Sequence, residues 1–153
     1  MNFRKRFIIL FGTCLLALGA FAQVTPVKPF KAPVLHTSMH KYKDSTSISY
    51  LEMKRIADFP LVVTDSANKK YRISSYQVIY RRLGVTENEK TGKISPTYTF
   101  ASGRFTETPL PPIWIKSIKE DCKPTEYIHF FDIIVKDDQN RVMFAEDLFI
   151  KLR

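Results

Sequence analysis

The sequence predicts a mainly β fold, an Ig-like antiparallel β-sandwich with one short helix, over residues 46–153. Two observations lead to this prediction. Short segments in which apolar and polar residues alternate recur through this region, and turn-forming residues separate them. Only one segment carries apolar residues at helical spacing. Many short strands with turns between them and little helix are typical of β-sandwiches.

The strongest strand pattern lies in residues 71–80, where the alternation changes phase. The apolar residues occupy odd positions up to Ile73 and even positions from Tyr76 onward. One extra residue in the strand, a β-bulge near Ser74 and Ser75, would bring both sets to the core side. We therefore predict a single bulged strand.

The C-terminal region predicts a hairpin. Residues 127–135 are largely apolar at both odd and even positions, which predicts a central strand covered on both faces. Residues 137–140 are typical of a turn. Residues 141–153 then return with leucine and isoleucine in alternation. Weaker patterns predict strands at residues 48–53, 61–64 and 97–101.

The one helical pattern begins after two prolines and is predicted to cover residues 113–120. Its apolar residues follow at helical spacing and would face the sheet: Trp114, Ile115, Ile118 and Cys122. On this interpretation Cys122 is a small buried hydrophobe at the end of the helix. The alternative, a catalytic nucleophile, is not favoured because the sequence places no base beside the thiol.

Residues 1–22 have the layout of a cleavable signal peptide. Three basic residues at positions 4–6 precede an apolar run at positions 7–18, and Ala20 and Ala22 precede the cleavage site. A membrane-spanning helix needs roughly 20 apolar residues, more than this run offers. An uncleaved anchor is therefore set aside, and so is a lipid-modified Cys14, because that cysteine lies inside the apolar run. We predict an exported protein, periplasmic or extracellular, with no stable membrane span after cleavage.

Residues 23–45 are rich in proline and lack a sustained apolar pattern, which predicts an extended lead-in to the β-sandwich domain of residues 46–153. The signal segment holds three of the 24 basic residues and none of the 15 acidic ones, so the exported chain has a net charge of +6. Exported proteins rarely meet nucleic acid, and we expect no nucleic-acid partner. After cleavage one cysteine remains, which excludes an internal disulfide.

The sequence carries no recognisable catalytic, cofactor-binding or metal-binding motif, and we predict neither an enzyme nor a cofactor. The glycines are too scattered for a phosphate-binding loop. His36 and His40 are four residues apart, but two histidines leave the coordination sphere of a metal half empty, and Asp44 is the only carboxylate near them. His129 falls within an apolar strand, where a hydrogen-bonded structural role is expected.

Two clusters in which cations alternate with aromatic rings form a possible binding face. Its members are Lys69, Lys70, Tyr71, Arg72, Tyr80, Arg81 and Arg82. Cations interleaved with rings suit anionic polymers. The alternative is a solvated strand edge, where lysines discourage unwanted strand pairing, and we favour it on that principle. Residues 84–95 between possible strands are polar and predict a mobile hairpin loop.

Residues 69–153 resemble the C-terminal domain of GldM, a protein of gliding motility and type IX secretion. The resemblance comprises the basic-aromatic strand of residues 71–78, the segment of residues 102–106 that leads into a short helix, the turn and apolar strand of residues 123–135, and the final strand of residues 147–152. GldM proteins carry a transmembrane helix and several domains in series, whereas this chain has a signal segment and one predicted domain. A glycine usual in the family's last hairpin is replaced here by polar residues.

The resemblance implies a non-catalytic protein–protein interaction module of the bacterial cell envelope, with another envelope protein as its partner in secretion or gliding. The basic-aromatic residues leave an alternative open, a binding domain for an anionic or carbohydrate polymer of the envelope. A small hydrolase is a third class, and the sequence shows no convergent acid, base and nucleophile to support it.

We expect the mature protein to begin at Gln23, because Ala20 and Ala22 match the small residues that signal peptidase requires. N-terminal sequencing or intact-mass measurement of the exported protein checks this. A chain that retains Met1, or that carries lipid on Cys14, would contradict the signal-peptide interpretation.

Overall fold

The computed structural model describes residues 29–153, of which Ala32–Arg153 form one compact unit. The predicted signal peptide, residues 1–22, lies outside the described residues. The described part contains nine strands: β1 Leu35–Met39, β2 Tyr42–Lys43, β3 Ser45–Ile48, β4 Leu61–Asp65, β5 Lys70–Glu87, β6 Ile94–Phe105, β7 Tyr127–Lys136, β8 Val142–Ala145 and β9 Leu148–Leu152. It also contains two helices, α1 Tyr50–Ile56 and α2 Pro112–Asp121.

The strands form one strongly curved sheet. The order of neighbours is β2-β1-β4-β5-β7-β9-β3, with β6 added to β5 and β8 added to β7. The pairings are antiparallel except that of β3 with β9, which is parallel. The Glu146 amide donates to the Leu35 carbonyl at 2.9 Å, so the link between β8 and β9 meets β1 and the sheet nearly closes into a barrel. The mainly β prediction is confirmed, whereas this topology does not confirm an Ig-like sandwich.

Strand β5 contains the predicted bulge. Its register with β7 shifts between Ile73 and Ser75, which confirms that an extra residue interrupts the alternation. A second shift follows between Ser75 and Gln77. Beyond the bulge Tyr76 and the two apolar even positions after it are buried, so the core face of β5 changes parity as the sequence indicates.

Strand β7 is central but buried on only one face, so the prediction of two covered faces is wrong. Its buried residues are Ile128 and Phe130 before Asp132, and Ile133 and Val135 after it. Asp132 has φ 48° and shifts the alternation by one position. The even-numbered apolar residues before Asp132 and the odd-numbered ones after it therefore pack against the same core. Tyr127, His129 and Phe131 lie on the outer side of the sheet.

The predicted helix is present as α2, and its apolar stripe faces the core only in part. Ile118 and Cys122 are buried. Trp114 is half-buried, and its ring meets the Phe105 ring edge-on with centroids 5.4 Å apart. Pro112 opens the helix, where the missing amide hydrogen costs no hydrogen bond.

A second helix, α1, replaces most of the strand predicted at residues 48–53, so the prediction of one helix is wrong. The Ser49 hydroxyl accepts a hydrogen bond from the Leu51 amide at 3.2 Å and caps the helix. Met53 and Ile56 then face the core. Ile48, the last residue of β3, is the one residue of the predicted strand that belongs to a strand.

Strand β1 lies inside the segment predicted as an extended lead-in, residues 23–45. Leu35, Thr37 and Met39 are buried, and β1 pairs with β4 along its whole length. The compact unit therefore extends further towards the N-terminus than residues 46–153. The alternation is hard to detect in the sequence because its central buried member is a threonine.

A buried carboxylate joins β5 to the turn that precedes β7. Glu126 is 1% exposed. Its Oε2 accepts hydrogen bonds from the Tyr80 hydroxyl at 2.6 Å and the Lys123 amide at 3.0 Å, and its Oε1 accepts one from the Leu83 amide at 2.7 Å. Burial and the bond to Glu126 raise the pKa of Tyr80 well above its usual range.

Replacing Glu126 by alanine should lower the free energy of unfolding by about 2–4 kcal/mol, because buried donors lose a charged acceptor. Denaturant unfolding measures this. The exposed Glu120 near the end of α2 offers the matched control. Glu120→Ala should change the stability by less than about 0.5 kcal/mol. A similarly small loss for Glu126→Ala would show that the carboxylate does not hold β5 in place.

Candidate binding surface

The two halves of the predicted binding face lie far apart. From Arg72 to Arg81 the chain runs nine residues along β5, which spans about 30 Å at about 3.3 Å per residue. In the half at the start of β5, the Lys69 ammonium pairs with the Asp138 carboxylate at 2.6 Å, and the Tyr71 hydroxyl donates to Asp65 at 3.0 Å. Lys70 and Arg72 are exposed.

The residues of the second half lie on opposite sides of the sheet. Tyr80 is 1% exposed and points inward. Arg82, on the same parity, reaches the Asp121 carboxylate at the end of α2 at 2.9 Å. Arg81 points to the opposite, outer side. The seven predicted residues therefore do not form one surface, and only Arg81 belongs to the aromatic surface described next.

The outer side of the sheet carries a continuous aromatic surface. Register places Arg81 opposite Phe100 on β6 and Tyr127 on β7, and it places His129 opposite Phe149 on β9. The neighbours of these residues along β7 and β9 are buried, so the side chains face outward, and register puts Phe100 of β6 on the same side. We define the outer aromatic face as Arg81, Tyr98, Phe100, Tyr127, His129, Phe131 and Phe149.

Arg81 lies between two tyrosine rings. Its guanidinium carbon is 4.2 Å from the centre of the Tyr98 ring and 4.7 Å from that of Tyr127. Its Nη2 also donates to the Thr125 carbonyl at 2.7 Å. Cation–π contacts on two sides and a backbone hydrogen bond hold the guanidinium in one position. The face therefore carries a positive charge with a fixed geometry.

The rings continue from β7 to β9. Tyr127 and Phe149 have centroids 5.0 Å apart, His129 and Phe149 5.5 Å, and His129 and Phe131 5.2 Å. The His129 Nε2 lies 2.9 Å from an Asp147 carboxylate oxygen, which orients the imidazole. The hydrogen-bonded role expected for His129 is present, and the residue is part of the surface rather than of the core.

The hairpin of β5 and β6 extends the apolar surface into solvent. Val85 is 74% exposed, Ile94 65% and Phe100 64%. Val85 pairs with Pro96, and all of these residues share the parity of Arg81 or Phe100 along their strands. Large apolar side chains gathered on one exposed surface usually mark a binding site.

Sequence reasoning missed this surface because its members come from four strands. Tyr127, His129 and Phe131 alternate along β7, and this is the signal that could have revealed it. The interpretation of residues 127–135 as covered on both faces hid that signal. Of the residues predicted as a mobile loop, 84–95, half belong to the two strands of the exposed hairpin, and residues 88–93 form the turn between them.

One cluster in the described residues has the side chains that a metal ion binds. Ligand atoms of His36, Asp44 and Glu146 lie within 4.8 Å of one another. The His36 and His40 pair considered from the sequence is not part of this cluster, since the His40 ring packs edge-on against Phe59 with centroids 4.7 Å apart. Asp44 does lie near His36, and Glu146 could not be found from the sequence because it is 110 residues from His36.

Cys122 has the environment of a structural thiol. It is 2% exposed, and its Sγ donates to the Tyr50 carbonyl at 3.5 Å. Burial raises the pKa of the thiol to about 11. The reactive thiolate is therefore scarce at neutral pH.

No protein-family model matches this sequence, and no curated protein is significantly similar to it. Among the described residues, none of the helices has the length and apolar character needed to cross a membrane. The assignment of function therefore depends on the surfaces themselves.

Cys122 should resist iodoacetamide at pH 8 in the folded protein and react fully in denaturant. Burial keeps the reagent from the sulfur and disfavours the thiolate form of the side chain. Peptide mass spectrometry reads the adduct. A Ser47→Cys variant places a thiol at an exposed position of β3 and serves as the reactive control. Labelling of native Cys122 at the rate of the control thiol would contradict the structural interpretation.

Proposed function

We propose that the protein is an exported, non-catalytic interaction module of the bacterial cell envelope, which binds another envelope protein. The outer aromatic face carries this proposal. Interfaces are enriched in tyrosine, phenylalanine and arginine and depleted of lysine and acidic residues. The face matches that composition, with Arg81 between Tyr98 and Tyr127 at its centre.

The energetics of the face favour a protein partner. Phe100 and Ile94 are about two-thirds exposed, at 64% and 65%. Burying apolar surface contributes roughly 25 cal/mol per Å², so covering these side chains would stabilise a complex by a few kcal/mol. Because Arg81 is already held by two rings, little side-chain entropy would be lost when it is covered.

Strand β6 adds a second element of the proposed interface. It pairs with β5 over its twelve residues, and no other strand of the described part pairs with it. A free strand edge can accept an extended segment of a partner through backbone hydrogen bonds. Side chains on the outer aromatic face would then select the partner strand.

The sequence supports the envelope setting. The signal segment supports export, and the likeness of residues 69–153 to the C-terminal domain of GldM supports a place in a secretion or gliding assembly. The Ig-like sandwich is the finer form of the proposed fold. The sandwich is supported by the pairing of β5, which pairs with β4 at one end and with β6 and β7 further along. A strand that passes between two packed sheet segments pairs in this way.

A specific observation also favours a second function, the binding of an anionic or carbohydrate polymer of the envelope. Lys151 lies opposite Tyr127, is exposed and makes no ion pair with a described residue. Together with Arg81 it gives the aromatic face two positive charges without carboxylate partners. Aromatic rings beside such cations suit a ligand that stacks and carries negative charge.

The double variant Tyr98→Ser/Phe100→Ser should bind the partner at least about tenfold more weakly, because apolar area and a wall of the Arg81 site are lost. Proteins captured from envelope extracts are identified by mass spectrometry, and the affinity of the purified partner is measured for each variant. Ile113→Ser removes a 76% exposed apolar side chain from α2 and is the matched control.

Circular dichroism and thermal unfolding establish that each variant is folded. Equal affinity of the double variant and the wild type for the captured partner would overturn the assignment of this face. Binding to purified cell-wall polymers that is lost in the double variant, with no protein partner, would favour the second function. Turnover of substrate that survives in the double variant would contradict both.

A further inference from the structure

A mixed cluster of one imidazole and two carboxylates lies where the barrel closes, and none of its three residues belongs to the outer aromatic face. His36 comes from β1, Asp44 from the turn between β2 and β3, and Glu146 from the link between β8 and β9. The His36 Nδ1 lies 2.7 Å from the Glu146 Oε2. Two neighbouring segments and a third that is 110 residues from His36 thus direct a nitrogen and two oxygen ligands towards one point.

The backbone holds these segments together independently of the three side chains. The Glu146 amide donates to the Leu35 carbonyl at 2.9 Å, and the Phe149 amide donates to the Asp44 carbonyl at 3.1 Å. The Cα positions that carry the three ligands are therefore fixed by strand contacts. Only side-chain rotation is needed to change the spacing of the ligand atoms.

The charge of the cluster suits a divalent cation. A histidine that binds a metal must be neutral, so the two carboxylates would give the site a charge of −2. The Asp44 carboxylate forms no hydrogen bond or ion pair with another described residue, and Glu146 pairs only with His36. The exposed position of both carboxylates leaves an entry path for an ion.

We propose that His36, Asp44 and Glu146 form a zinc-type metal site, with water completing the coordination. An imidazole nitrogen with carboxylate oxygens suits Zn²⁺ and similar transition metals, whereas Ca²⁺ and Mg²⁺ prefer sites made of oxygen alone. The metal replaces the hydrogen bond between His36 and Glu146 and binds these two residues and Asp44.

The distances are compatible with this exchange. Zinc–nitrogen and zinc–oxygen bonds of about 2.0–2.2 Å put ligand atoms of a tetrahedral site about 3.3 Å apart. The His36 and Glu146 atoms, now 2.7 Å apart, must separate slightly, and the wider spacings in the cluster, up to 4.8 Å, must contract. Both changes lie within the reach of exposed side chains.

Calorimetric titration of ZnCl2 into chelator-treated protein tests the proposal. We expect one Zn²⁺ per chain, and a higher thermal unfolding midpoint with zinc than with EDTA, because the ion binds the folded arrangement of three segments. H36Q and E146Q should each weaken zinc binding at least about tenfold, as expected when a protein ligand is lost. Titrations with CaCl2 and MgCl2 should give no comparable heat.

His40→Gln is the matched control, since it removes a nearby imidazole that lies outside the cluster. It should keep the affinity for zinc and the shift of the midpoint. Zinc binding that H36Q and E146Q leave unchanged would show adventitious binding elsewhere and overturn the proposal. The absence of zinc binding in the wild-type protein, or equal binding of Ca²⁺, would overturn it as well. Asp44→Asn should also weaken zinc binding at least about tenfold, because it too removes one of the three protein ligands.

Discussion

The buried carboxylate of Glu126 is the constraint on which the rest of the sheet depends. An ionisable group at 1% exposure is costly unless its oxygens are satisfied, and here three donors satisfy them. The Tyr80 hydroxyl and the Leu83 amide fix the middle of β5 against the start of β7. Arg81 lies between these two donors and Tyr127 follows Glu126, so the same contact sets the position of the cation and of one ring on the outer aromatic face.

The parts of the fold that could be predicted are those in which local pattern and burial agree. The bulge in β5 shows as a parity change at Ile73 and Tyr76, and α2 shows as an apolar stripe behind two prolines. Helix α1 was not predicted because Ile48 and Tyr50 alternate like strand residues, while the Ser49 hydroxyl that caps the helix acts through a single hydrogen bond. Its seven residues are too few for a clear periodicity.

The candidate surfaces were harder to predict than the elements that carry them. Sequence reasoning grouped Tyr80, Arg81 and Arg82 because they are consecutive, but consecutive residues of a strand face opposite sides. The sheet instead groups Arg81 with Tyr98 and Tyr127 through register. Such groupings depend on which strands pair, and the pairing is a property of the whole topology rather than of any one segment.

The short link between β8 and β9 connects the two candidate sites. Glu146 reaches the His36 imidazole at 2.7 Å on one side, and Asp147 reaches the His129 imidazole at 2.9 Å on the other. The two carboxylates belong to consecutive residues whose backbone also meets β1 through the amide of Glu146. A shift of this link would therefore change both the cluster at the barrel closure and the orientation of a ring on the outer aromatic face. The link is thus a physical element that both candidate sites share, and a shared element of this kind can carry energetic coupling when it has two discrete arrangements.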